Sequence, residues 1–159
     1  MQPSRLTDKP YVSSGRSAKG EFEAGNGARA RRTLLVIDDQ RTILATIKKV
    51  AEEVGYLVEA TQDPHRFKEL VRTFAPDLIL IDVVMPEEDG LELLRFLAEQ
   101  KVTTPVIVMS EYGAQLLNCV WKLGSALGLS LRAVQKPLGP SQWQSLLAES
   151  NSDREGLTP

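Results

Sequence analysis

Cysteine is almost missing from this 159-residue chain: Cys119 stands alone, so no intrachain disulfide can form. His65 is equally solitary, and without a Cys/His cluster a structural zinc would have no ligands. No run of about 18 apolar residues exists, and the amino-terminal stretch has no apolar centre of a secretory signal. Neither a membrane span nor export is therefore expected, and a reducing cytoplasm suits the composition. An excess of one charge is lacking too. Lys plus Arg number 19 and Asp plus Glu 21, a net charge of −2. That balance offers no broad basic field, so binding to DNA or to an anionic membrane is not expected. A chain this long can bury roughly 68–70% of its unfolded surface, enough for an ordinary core without staples.

The charge that is present divides unevenly. Residues 1–32 carry seven basic side chains against three acidic ones, net +4, which leaves −6 for residues 33–159. With four glycines and only scattered apolar residues, 1–32 reads as a basic, disordered amino-terminal arm. From residue 33 aliphatic runs alternate with helical patterns. Thr33 to Ile37, Leu78 to Ile81 and Pro105 to Met109 read as strands buried on both faces, with shorter strands over Tyr56–Ala60 and Leu131–Gln135. Between them, Ile43, Ile47, Val50 and Val54 mark one helix ending at Gly55, and Phe67, Leu70, Val71 and Phe74 a second that opens at Asp63-Pro64. Leu91, Leu94 and Leu97 mark a third after Asp89-Gly90, a long pattern spans Ala114 to Leu127, and a last helix runs from Pro140 to Ala148. The polar tail 149–159 is expected to fray. Five such repeats fit parallel strands joined by right-handed helical crossovers, a doubly wound α/β domain over 33–148.

In such sheets ligands bind outside the carboxyl ends of the strands. Those ends hold Asp38 and Asp39 after strand one, Asp82 after strand three, Ser110 after strand four and Lys136 after strand five. Three carboxylates converging on one rim repel one another unless a cation joins them, and an all-oxygen set suits a hard dication such as Mg2+ better than zinc. Asp82 has the chemistry of a nucleophile that accepts a phosphoryl group, with Lys136 and Ser110 placed to stabilise its charge.

These residues carry a resemblance. Leu34-Leu35-Val36-Ile37-Asp38-Asp39, the stretch Asp82-Val83-Val84-Met85-Pro86-Glu87-Glu88-Asp89-Gly90, Ser110, and Lys136-Pro137 resemble the receiver domains of two-component response regulators. The resemblance implies a flavodoxin-like, five-stranded parallel sheet of order 2-1-3-4-5 with helices on both faces. It implies Asp82 as the phosphoacceptor, Mg2+ held by Asp38, Asp39, Asp82 and the backbone carbonyl of Val84, Ser110 and Lys136 on the phosphoryl oxygens, and a cis Lys136-Pro137 bond. No metabolite turnover is implied. The implied partners are a histidine kinase or histidine phosphotransfer protein, and then a downstream protein or a second copy through the face of the fourth and fifth helices, at Trp121, Ala133 and Trp143. Ser110-Glu111 and the segment Ala126-Leu127-Gly128-Leu129 are also similar to receivers attached to EAL-type cyclic-di-GMP phosphodiesterases.

Some positions depart from the family pattern. Ala133 stands where many receivers carry an aromatic switch residue, and Glu111 where most have a small one. Val84 and Tyr112, two residues after Asp82 and Ser110, are expected to shield an aspartyl-phosphate from water and lengthen its life. The alternative function is a receiver-like interaction module that signals without phosphate. A dehalogenase-type phosphohydrolase is disfavoured, because its nucleophile would sit in a D-x-D pattern on strand one, where Asp38-Asp39-Gln40 stands instead. Asp89 is expected to cap a helix, His65 to lie on the surface and Cys119 to be a small buried hydrophobe.

Overall fold

The structure, a computed structural model, describes residues 30–86 and 88–156. Among the described residues ten elements alternate: β1 (Arg32–Ile37), α1 (Arg41–Val54), β2 (Tyr56–Thr61), α2 (Pro64–Thr73), β3 (Leu78–Asp82), α3 (Gly90–Glu99), β4 (Val106–Ser110), α4 (Ala114–Ala126), β5 (Leu131–Gln135) and α5 (Pro140–Gly156). The strands form one parallel sheet in the order β2-β1-β3-β4-β5. This is the expected flavodoxin-like arrangement.

Alternation along the strands builds two cores. Leu35, Ile37, Ile79, Ile81, Val106 and Val108 pack towards Phe67 and Leu70 of α2, Leu93, Leu94 and Leu97 of α3, and Leu117 and Val120 of α4. Leu34, Val36, Leu78, Leu80, Ile107 and Met109 pack on the opposite face towards Leu44, Ile47 and Val50 of α1 and Trp143, Leu146 and Leu147 of α5. Central strands covered on both sides must be apolar throughout, and every residue of β3 and β4 is buried.

Local chemistry sets the helix ends. The Asp63 carboxylate accepts from His65 N–H, with Pro64 at the first helical position, and the Asp89 carboxylate accepts from Glu92 N–H. Gly55 closes α1 at φ 111°, a left-handed conformation that a side chain would strain.

Several sequence expectations shift. The last helix does not stop at Ala148 but runs to Gly156, and side chains anchor it as far as residue 151: Ser150 Oγ donates to Leu146 O, Arg132 pairs with Glu149, and Arg32 donates to Asn151 Oδ1. Polar composition is compatible with helix where neighbours anchor it, and residues 157–159 lie outside the described ones. The arm over 1–32 likewise lies almost wholly outside the described residues, except that Arg32 already belongs to β1 and Arg31 donates to Tyr56 O. Trp143, expected on a partner-facing surface, is 2% exposed and sits in the α1/α5 core. Cys119, expected to be buried, is exposed. The buried seam of α4 runs through Leu117, Val120 and Gly124, with the Leu131 side chain pressed on Gly124, which turns position 119 outward.

Candidate functional site

Register delivers the site. Ile37 lies beside Ile81, Asp82 beside Met109, and Ser110 beside Gln135. The residues that follow each strand therefore step along one rim, and Asp38, Asp82, Ser110 and Lys136 all come to the carboxyl edge of the sheet. Backbone hydrogen bonds extend the ladder past the strand ends, from Val83 N–H to Met109 O (2.9 Å) and from Lys136 N–H to Ser110 O (2.8 Å).

Carboxylate oxygens of Asp38, Asp39 and Asp82 lie within 4.8 Å of one another. Lys136 Nζ reaches into the cluster, 2.7 Å from Asp38 Oδ2 and 3.6 Å from Asp82 Oδ1. Asp38, Asp82, Ser110 and Lys136 are buried, while Asp39 is partly open. Burial removes water from the acids, and this first raises both Asp38 and Asp82. The neighbouring Asp38 charge adds to it for Asp82, which is pushed up to about 7 against the pull of Lys136. One ammonium cannot balance three carboxylates. Buried acids that resist ionising together form the donor set a hard dication relieves, and the oxygen-only ligands fit Mg2+.

The supporting loops are tightly specified. Gly90 N–H donates to Val83 O at 2.7 Å, and a Cβ at Gly90 would lie 2.8 Å from both the Asp82 carbonyl oxygen and the Val83 Cα. Glycine is therefore required where α3 abuts the loop that follows Asp82. Asp38 Oδ1 also accepts Gln40 N–H at 2.9 Å, which shapes the β1–α1 turn. Gln62, just past β2, donates from Nε2 to Asp39 O at 2.8 Å and accepts from Arg41 Nε at 3.2 Å. Gln62 was not picked out in the sequence, although the parallel pairing of β1 with β2 is the signal that sets the residues after both strands side by side.

A cleft of about 290 Å³ opens above the acids, lined by Asp39, Gln40, Asp82, Val84, Met85, Pro86, Glu111, Tyr112 and Lys136. Ser110 Oγ accepts Tyr112 N–H at 2.9 Å, so its hydroxyl is engaged in the local turn. Ala133 lies half-buried on β5 and Trp121 is 45% exposed on α4. The Lys136-Pro137 bond is cis, and His65 is exposed, both as expected.

The response regulator receiver domain family matches residues 34–142. A Bacillus subtilis relative, the alkaline phosphatase synthesis transcriptional regulatory protein PhoP, is 29% identical over 114 residues, covering 70% of this chain and 45% of that protein. The protein-glutamate methylesterase/protein-glutamine glutaminase 2 of Shewanella oneidensis is 30% identical over 120 residues, 73% of this chain and 34% of that protein. Among solved structures, the receiver domain of the Francisella response regulator 1452 superposes with a TM-score of 0.66 at 28% identity, covering 77% of this chain and 98% of that one. This chain spans less than half the length of these two curated relatives, whose names describe different outputs. What they have in common with it is the receiver, a module that works in two-component signalling alongside kinases and effectors, with an acidic pocket for Mg2+. Among the described residues no helix is long and apolar enough to cross a membrane. The chain belongs to the response regulator receiver domain family.

Proposed function

We propose that this chain is a phosphoacceptor receiver, modified on Asp82 by a histidine kinase or histidine phosphotransfer protein. The observation that carries the reading is the buried position of Asp82 at the end of β3, beside Asp38 and Asp39 and 3.6 Å from Lys136 Nζ. Asp38, Asp39, Asp82 and the backbone carbonyl of Val84 are the groups that would hold Mg2+. When bound, that ion supplies positive charge against the acids and the phosphoryl oxygens.

The chain's own residues divide the remaining work. Asp82 offers a carboxylate oxygen to phosphorus, and the leaving group departs with the electron pair of its broken bond to phosphorus. Lys136 keeps an ammonium at the acceptor, and Ser110, whose oxygen accepts from Tyr112 N–H, has its own O–H to donate to a phosphoryl oxygen. The chemistry is self-modification and turns over no metabolite. Output follows through a downstream protein or a second copy at the exposed α4 face around Trp121 and Ala133, with Trp143 excluded by its burial. The same reading puts the chain in the cytoplasm, where phosphodonor and magnesium are both at hand.

Intact-mass measurement after acetyl phosphate and Mg2+ tests it. The wild-type chain is expected to gain a phosphoryl mass that Asp82→Asn does not. If both stay unmodified while fully folded, the reading gives way to an interaction module that works without phosphate.

A further inference from the structure

One side-chain pair crosses the mouth of the cleft without touching the acceptor. Gln40 Nε2, from the loop after β1, donates to Glu111 Oε2, on the loop after β4, at 2.9 Å. Both side chains are exposed and both line the cleft above Asp82. Each end is anchored. Gln40 N–H donates to Asp38 Oδ1, and Gln40 O accepts from Ile43 and Leu44 N–H. The turn bearing Glu111 is held by the Tyr112 N–H bond to Ser110 Oγ, at the end of a fully buried strand. The bond therefore ties together two fixed loops on opposite sides of the opening.

Glu111 also sets a fourth carboxylate on the rim, outside the three acids. A phosphodonor approaching Asp82 carries negative oxygens and meets this charge first. The tie between the loops and the like charge thus lie at the same opening.

We propose that Gln40 and Glu111 form a clasp that slows small anionic phosphodonors from solvent on their way to Asp82. The proposal rests on reading Asp82 as the acceptor. In the transfer an Asp82 oxygen forms a bond to phosphorus. With acetyl phosphate the bond between phosphorus and the acetate oxygen breaks, and acetate leaves with the electron pair. With phosphohistidine the phosphorus–nitrogen bond breaks, and the imidazole nitrogen keeps the pair and takes up a proton. The clasp acts before either step, on access alone.

The test follows phosphoryl loading of the full chain over time by intact mass, with acetyl phosphate and Mg2+, for wild type, Gln40→Ala, Glu111→Ala, Glu111→Gln and the double alanine variant. One exposed hydrogen bond is worth roughly a three- to tenfold change in an equilibrium, so each single alanine variant is expected to load about that much faster than wild type. The double variant is expected to be no faster than Glu111→Ala, since both remove the same bond. Glu111→Gln retains an oxygen for Gln40 and loses the charge, so it falls between, with a gain that shrinks in high salt. Equal loading of Asp82 in all five proteins overturns the clasp and leaves the acceptor reading standing. Absence of phosphoryl mass on every protein overturns both. Because both side chains are exposed, melting temperatures are expected to stay within about two degrees of wild type. A faster rate accompanied by a larger fall would mean general loosening and would also overturn the clasp.

Discussion

In Asp82→Asn the central carboxylate of the acidic trio becomes a neutral amide of nearly the same size. Asp82 is held up to about 7 in the fold, chiefly by burial and then by the Asp38 charge, against an ordinary value of 3.8. The folded chain thus keeps its proton where the unfolded chain has released it, and stability falls as pH rises from about 4 through about 7. The whole interval sets a ceiling of about 4 kcal/mol. Sharing of charge with Asp38 and Lys136, and the 3.6 Å Lys136 contact that the variant loses, bring the expected net gain to about 2 kcal/mol. Burial raises Asp38 in both proteins, so only its coupling to Asp82 differs between them. For a domain of this size that gain corresponds to a rise of roughly 6–10 °C in melting temperature. Thermal unfolding in a chelating buffer at pH 8 is expected to show the variant melting higher, with the gap closing as pH falls towards 4. Millimolar Mg2+ is expected to raise the wild type more than the variant, because it binds the folded acids. A gap that is absent at pH 8, or constant between pH 8 and pH 5, would refute the electrostatic account.

Gly90→Ala would press a methyl group on the Asp82 carbonyl and the Val83 Cα, both 2.8 Å away and both backbone, so a loss of about 1–3 kcal/mol is expected in denaturant unfolding; an unchanged midpoint would contradict the packing. The two tryptophans are expected to separate sharply. Trp143→Ala empties a site that is 2% exposed and is expected to cost about 3–5 kcal/mol, whereas Trp121→Ala, at 45% exposure, should stay within about 0.5 kcal/mol by the same measurement. Val84 and Tyr112 line the cleft at 43% and 58% exposure, and as water-excluding neighbours they are expected to make the aspartyl-phosphate persist for minutes or longer. Mass analysis after removal of the donor checks this, and loss within seconds at neutral pH would count against shielding.

The strands and the rim residues were legible because one physical rule fixes both. A parallel strand covered on two faces must be apolar along its length, so its end shows in the sequence as the first polar residue: Asp38 after Ile37, Asp82 after Ile81 and Ser110 after Met109, whereas the edge strand β5 mixes Arg132 and Gln135 among its apolar residues and shows no such step before Lys136. Helix faces are less sharply written. On α4 most residues are apolar, so periodicity leaves several faces open, and the helix is rotated so that Gly124 meets the Leu131 side chain of β5, a helix-to-strand contact that no helical period contains. The same rotation exposed Cys119. Trp143 was assigned to the partner face by the resemblance and not by its own helix, and its burial follows from the core that α1 and α5 share. Gln62 and the Gln40–Glu111 pair could not be read locally, since each joins loops brought together by strand order alone.

The ladder and the side chains of β4 and β5 divide rigidity from movement. Lys136 N–H is fixed to Ser110 O, so the two strand ends keep their spacing whatever happens in the cleft. Their side chains differ in readiness. Lys136 Nζ already stands among the acids, and a phosphoryl group on Asp82 would meet it without rearrangement. Ser110 Oγ accepts from Tyr112 N–H, so a swing of the Ser110 side chain would act on the turn that carries Glu111 and Tyr112 into Gly113, the residue before α4. No side chain caps that helix start, and a change in the turn would therefore pass directly to α4 and the exposed Trp121. With Ala133 too small to relay by swinging an aromatic ring, this turn is the route by which the proposed phosphorylation of Asp82 would reach the surface of α4.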